Sequence, residues 1–372
     1  MSTPEPVTEH TTARLDADPP RPATAGDAPP DGGTAGADAG RSTGRGALRA
    51  AGLLGASLVL LAVLVLSIGV GARHLPPAEV WAGLVDPGAE TYAIVHQMRL
   101  PRTLLGLLAG MALGLAGAVM QALTRNPLAD PGLLGINAGA SAAVVSGAVF
   151  LGVATFDRYV WFAFAGAAAV SALVYAVGGG RSATPARLAL AGAALNAALL
   201  SYVSASMLLD SGALEKMRFW TVGSLADAHM TTVLRVLPFI GAGTLLALAL
   251  APSLNALALG DDSARALGAR LPRIRAAAIV AVTLLCGAAT AACGPIVFVG
   301  LMMPHLVRRL TGPDLRWMFP YCALLAPVLL LGADVLGRVL ARPGELQVGI
   351  VTAVLGGPFF LWVVRRARLP RV

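Results

Sequence analysis

The sequence predicts an all-α fold, a polytopic membrane protein of about ten transmembrane helices. Three observations carry this. First, 56% of the 372 residues are hydrophobic, only 13% are charged, and the mean hydropathy is +0.72; an ordinary soluble domain carries about 25% charged residues. Second, uncharged runs recur along the chain, most of them long enough to cross a hydrocarbon core of ~30 Å at about 1.5 Å per residue. Third, the basic residues stand at the ends of those runs rather than on one amphipathic face. Forty-three glycines fit the same class, because small residues let membrane helices approach closely.

The elements follow in order. Residues 1–46 are rich in Pro, Gly, Ala, Thr and Asp and hold no aromatic residue. Such a segment buries too little surface to offset its ordering entropy, so it reads as a disordered cytoplasmic tail, with the membrane domain spanning 47–372. The apolar run after it comes too late for a secretory signal and lacks a convincing cleavage site. Uncharged runs then occupy Ala50–Ala72, Thr103–Thr124, Pro131–Phe156, Tyr159–Gly180, Leu188–Leu209 and Val236–Gly260. A longer one runs from Ala276 to about Leu306, and the last two are Trp317–Gly332, extended past Asp334, and Leu346–Val364. The long stretch exceeds one helix, and Gly294-Pro295 and Gly300 break it in the middle.

Charge settles the count. Lys and Arg favour the cytoplasmic side of short loops. Arg41, Arg45 and Arg49 precede the first run, and Arg365, Arg366, Arg368 and Arg371 follow the last, so both termini are expected inside. Both ends inside requires an even number, and splitting the long stretch gives ten crossings. Arg125–Asp130, Arg181–Arg187, Asp261–Arg275 and Arg308–Arg316 then fall inside. Arg99, Arg102, Arg338 and Arg342 fall outside against the charge bias, which invites a functional explanation. Leu100-Pro101-Arg102 opens one run outside and Leu271-Pro272-Arg273 another inside, which suits an inverted repeat.

Composition also excludes functions. A pI near 10.2 without a basic face does not indicate nucleic acid. Lys216 is the only lysine and sits in no G-x-x-x-x-G-K-[ST] loop, so a Walker-type ATPase is excluded; any ATP hydrolysis belongs to another subunit. Cys286, Cys293 and Cys322 lie inside apolar runs and read as small buried hydrophobes. The sequence shows no Ser-His-Asp set, no H-E-x-x-H and no paired intramembrane aspartates, so no enzyme, metal site or cofactor is expected. Asp334 and His305 are too isolated for a proton relay. Asp334 is expected to pair with Arg338 one turn later.

Two internal segments invite roles. Asp261–Leu271 predicts a short helix, capped by Asp261, Asp262 or Ser263 and ended at Gly268, with Ala264 and Leu267 on one face. It would be either an amphipathic connector or the segment lying in a groove of a separate ATPase. In Arg125-Asn126-Pro127-Leu128, Pro127 biases Asn126 away from helical geometry and stops the preceding helix. That turn would be either a plain helix stop or a constriction made by Asn126 and Leu128 at a pore mouth.

The stretch RLPRTLLGLLAGMALGLAGAVMQALTRNPLADPGLLGINAGAS, Arg99 to Ser141, resembles the signature of the FecCD-type permease subunits of ABC importers, which carry ferric siderophores, haem and cobalamin. The resemblance recurs in RLALAGAA at Arg187–Ala194, FWTVGSL at Phe219–Leu225, Leu257–Leu271, GPIVFVGLMMPHLVRR at Gly294–Arg309 and GELQVGIVTAVLGGPFFL at Gly344–Leu361. It covers about Ala47 to the C-terminus. It implies a permease subunit of ten helices in the cytoplasmic (inner) membrane. Its implied partners are a second permease subunit (an identical copy or a paralogue), ABC ATPase subunits, an extracytoplasmic substrate-binding protein and membrane lipid. By motif position it implies that Arg99, Arg102 and Arg338 dock carboxylates of the binding protein, a two-point contact that arginine suits. It implies ATPase coupling through Asp262, Ala264, Leu267 and Gly268. It implies a cytoplasmic gate at Asn126, Leu128, Pro185 and Ala186. The last pair departs from the polar gate residues of the cobalamin type, and FWTVGSL is closer to the siderophore pattern. The implied function is translocation of a ferric siderophore. The alternatives are haem or cobalamin within the family and, in another class, an ion-coupled secondary transporter, against which the scarcity of intramembrane carboxylates argues.

Overall fold

A computed structural model describes residues 35–71, 75–152, 156–180, 184–209, 220–342 and 344–366. Most of the tail, Arg73, Lys216, Phe219, Arg181, Arg368 and Arg371 therefore lie outside the described residues. The described residues form twelve helices. They are α1 (Ala35–Gly69), α2 (Pro77–Val85), α3 (Leu100–Thr124, continuing a π-turn at Ile94–Arg99), α4 (Ile136–Leu151), α5 (Phe156–Val177) and α6 (Pro185–Leu209). After these come α7 (Met230–Ala258), α8 (Asp261–Ala266), α9 (Leu271–Cys293), α10 (Val299–Thr311), α11 (Leu315–Leu340) and α12 (Val348–Arg366). As described, α1 begins within the segment read as a tail.

Seven spans are long and apolar enough to cross a membrane: those of α1, α3 with its π-turn, α5, α6, α7, α9 and α11. Helices α4 and α12 are apolar but shorter. With α10 these helices occupy the nine uncharged runs, the long one from Ala276 holding both α9 and α10.

The core is built on α3 and α9, whose apolar windows are 78% and 72% buried, against 17% for α1. Both open on the Leu-Pro-Arg tripeptide, with proline in the first turn where its missing N–H costs nothing. Each is followed by a non-helical link and a short helix. The short helices are exchanged: α4 packs on α9, where Thr290 Oγ1 donates to Asn137 Oδ1 at 3.0 Å, and α10 packs on α3. Glycine permits the second contact. A methyl group at Gly117 would collide with the backbone of Gly300, and one at Gly110 with the backbone of Pro327 on α11.

The break between α9 and α10 has a local cause. Gly294 has φ +73°, and Phe298 has φ +71°, a left-handed geometry rare for a side chain of that size. Between them the chain is not helical. The carbonyl at the end of α9 is satisfied sideways instead, with Ser224 N donating to Cys293 O at 2.7 Å. Helix α1 is peripheral but fastened to α11 twice: Tyr321 Oη donates to Arg49 O at 2.7 Å, and Arg338 Nη1 to Val70 O at 2.7 Å.

Candidate functional site

Three regions collect the residues singled out by sequence. The first surrounds Asp334 on α11, a carboxylate with no exposure to solvent. Arg338, one turn on, donates from Nη2 to Asp334 Oδ2 at 2.7 Å, as the spacing predicts. Arg102 on α3 approaches from the other side, with Nη2 on Oδ1 at 2.7 Å and Nε at 3.1 Å from Oδ2. Arg102 also reaches Glu345 with Nη1 on Oε2 at 2.6 Å. Two cations and two anions thus balance. Balance matters, because a lone buried charge is far costlier than a closed network.

Arg338 also closes the end of α1, together with Arg99 and Arg342. A helix leaves its last four carbonyls without partners, and its C-terminus carries partial negative charge. Arg99 Nη1 donates to Ile68 O at 2.6 Å and Gly69 O at 2.8 Å. Arg338 Nη1 donates to Ser67 O at 2.9 Å and Val70 O at 2.7 Å, and Arg342 Nη2 to Gly71 O at 3.2 Å. Arg99, Arg102 and Arg338 are all buried. Arginines displaced against the charge bias therefore have a structural role, which is to cap α1 and neutralise Asp334. Arg99 and Arg102 precede the uncharged run that opens at Thr103, yet both are enclosed by the packed helices.

The second region is the turn after α3. Arg125 is left-handed at φ 52° and ends the helix, its N–H turning back to Ala122 O at 3.3 Å. Asn126 Oδ1 accepts from Leu128 N at 2.9 Å. Asn126 and Leu128 are exposed, and Leu128 borders a small crevice with Leu301, His305, Phe359 and Val363. Pro185 and Ala186 form the first turn of α6 and do not line that crevice.

Beyond the turn, Asp130 Oδ1 accepts from Gly132 N at 2.7 Å and caps a single 3₁₀ turn. Burial raises the Asp130 carboxyl above its ordinary value, the Gly132 N–H pulling the other way. Asp130, Asn137, Ser141, Asn196 and Pro295 line a cavity of about 460 Å³ between both interrupted segments and α6. Sequence reasoning passed over this cavity. Its signal was the pair of helix breaks, because irregular backbone inside a membrane is tolerated where it lines a cavity.

The third region is α8. It spans only six residues and starts from Gly260 at φ 106°, with no side-chain cap. Ala264 is completely buried, whereas Leu267 is 67% exposed, so the two do not share a face as expected. Leu267 caps the helix, its N–H still donating to Ser263 O at 3.1 Å, and Gly268, left-handed at φ 81°, ends it as expected. Asp262 is exposed and pairs only within its helix, accepting from Arg265 Nη1 at 2.7 Å. Asp261 joins three elements: Oδ1 accepts from Arg125 Nη2 at 2.9 Å and Oδ2 from Arg275 Nη2 at 2.7 Å. The three cysteines are free and buried, and no group of metal-binding side chains occurs among the described residues.

Comparison with known proteins sets this architecture in context. The chain is 48% identical over 324 residues to the ferric enterobactin transport system permease protein FepD of Escherichia coli (strain K12), covering 86% of this chain and 96% of that protein. It is 40% identical over 314 residues to the Fe(3+)-citrate import system permease protein YfmD of Bacillus subtilis (strain 168), covering 84% and 94%. A solved inward-facing structure of a metal-chelate type ABC transporter superposes with a TM-score of 0.74 at 28% identity, over 84% of this chain and 98% of that one. The FecCD transport family matches residues 59–366, and the chain belongs to that family.

Proposed function

We propose that this chain is the membrane-spanning permease subunit of a binding-protein-dependent ABC importer and that it passes a ferric siderophore across the cytoplasmic membrane. The observation that carries this reading is the extent of the likeness to a ferric-enterobactin permease, nearly end to end on that protein. The fold supports it. A helical body with a cavity of about 460 Å³, where the breaks after α3 and α9 meet α6, is a plan suited to passing a solute. The reading takes ten crossings with both termini in the cytoplasm, a second permease subunit, two partner ATPases that hydrolyse ATP, and an extracytoplasmic binding protein.

In this reading α8 meets the ATPase, with Leu267 as the exposed apolar contact, Asp262 at the rim, and Ala264 and Gly268 shaping the turn. Asn126, Leu128, Pro185 and Ala186 narrow the cytoplasmic exit. The binding protein docks around Arg102 and Glu345, on a surface that Arg99 and Arg338 hold in place. The siderophore brings its iron already wrapped and needs no protein ligands. ATP binding to the partners changes which end is open, and the permease supplies the two-state element.

The test is uptake by the reconstituted importer. A partner ATPase lacking its catalytic glutamate should abolish uptake of the ferric siderophore; uptake that persists refutes an ABC mechanism. Excess haem or cobalamin should leave uptake unchanged, and strong competition by either moves the substrate class. Leu267→Asp should release the ATPase from the purified complex, and its retention there refutes the contact.

A further inference from the structure

The end of α3, the start of α8 and the first turns of α9 meet on one carboxylate, that of Asp261. Arg125 and Asp261 are 136 residues apart in sequence. Arg125 is the residue at which α3 stops, immediately before the exposed turn Asn126–Leu128. Arg275 is anchored in the protein, its side chain only 9% exposed. Asp261 is therefore fixed from behind by Arg275 and holds Arg125 in front.

We infer that Asp261 is a positioning residue that makes α8 and the Asn126–Leu128 turn move as one body. The inference rests on the proposed roles of α8 as ATPase contact and of that turn as inner gate. Its physical basis is the Arg125–Asp261 bond, which joins the end of α3 directly to α8. A helix of six residues does not sustain itself and takes its placement from outside contacts. The turn is held by its own local bonds, from Asn126 Oδ1 to Leu128 N and from Ala129 N to Asn126 O, neither of which reaches α8. A push on α8 reaches the turn through a chain of polar contacts only if the chain is closed, and Asp261 closes it. The neighbouring Asp262 differs in kind, since its partner Arg265 lies in the same helix.

The experiment uses the complete importer in proteoliposomes and reads ferric siderophore transported per ATP hydrolysed. Asp261→Asn should keep the ATPase bound and hydrolysing while transport per ATP falls about tenfold, within the range single residues on coupling networks produce. Arg125→Gln, whose side chain is 36% exposed, should give a similar loss. The double variant should be no worse than the more impaired single variant, because both cut one link, and Asp261→Glu should restore part of the coupling. Wild-type transport per ATP in either single variant, or losses that multiply in the double, overturns the inference. So does release of the ATPase by Asp261→Asn, which would make Asp261 a docking residue. If the wild-type importer itself transports without ATP hydrolysis, the proposed function fails instead, and the two failures are distinct.

Discussion

The Asp334 and Asp261 clusters use the same chemistry, one carboxylate between two arginines, at opposite degrees of burial. Asp334 has no solvent exposure and its two arginines are nearly as enclosed, at 11% and 2% for their side chains. Asp261 is 28% exposed and its partner Arg125 36%. Burial decides what each can do. A desolvated pair is costly to open, because each separated charge then lacks both partner and water. The Arg125–Asp261 contact is half-solvated and adds little to stability, while Arg275, 9% exposed, keeps Asp261 in place. The Asp334 cluster therefore acts as a fixed joint among α1, α3 and α11, whereas the Asp261 cluster can follow or transmit motion.

The sharpest way to break this contrast is at Asp334. Asp334→Ala should destabilise the protein by about 3–5 kcal/mol, since it strands two buried guanidinium groups. Thermal unfolding in detergent would show it as a large fall in midpoint or loss of folded protein. Replacing the whole triad, Arg102→Met with Asp334→Leu and Arg338→Met, should cost less than the single change, because the one charge left without its partner, Glu345, is 32% exposed and turns to water. A single variant as stable as wild type would refute the joint. Next in size is Arg338→Met alone, which also uncovers two carbonyls of α1. Its cost should be about 1–3 kcal/mol for the groups left unsatisfied, and hydrogen exchange should quicken at the end of α1.

Much of this was legible in the sequence, for physical reasons that also mark where legibility stopped. Crossings can be read because apolar length is a local property, and Gly294-Pro295 announced the interruption of the long stretch because backbone conformation is local too. The pairing of Asp334 with Arg338 followed from one helical turn. The burial of Arg102 did not follow, because its partners lie 232 and 243 residues away, on α11 and the link after it. A charge count by loops treats such an arginine as exposed. Gly268, left-handed at φ 81°, ends α8 where the sequence signals it; the face was misjudged because Ala264 and Leu267, three positions apart, stand about 60° apart around a helix of 3.6 residues per turn, and only Ala264 falls against the protein. Nothing in Asp261-Asp262 distinguishes the two aspartates until the ends of α3 and α9 are brought beside them.

Two smaller changes sharpen the comparison at its margins. Glu345 is the exposed member of the Asp334 cluster, its side chain 32% accessible. Glu345→Gln should cost below about 1 kcal/mol, the usual worth of a solvent-screened pair, and the difference should shrink in high salt. If it cost as much as the loss of Asp334, burial would not be what separates the clusters.

The smallest expected effect is at Asp262. It stands beside Asp261 on the same six-residue helix and also faces an arginine at 2.7 Å, so length of contact does not separate the neighbours. What separates them is where the arginine comes from. Arg265 belongs to α8 and travels with it, so the Asp262 pair is unchanged by any movement of the helix against its surroundings. Its stability contribution is also slight, because both side chains are solvated. Asp262→Asn should therefore leave the unfolding midpoint within error of wild type and lower transport per ATP by less than Asp261→Asn does. Equal losses of coupling in the two variants would mean that α8 responds to its net charge alone, and the placement of Asp261 between Arg125 and Arg275 would have no part in it.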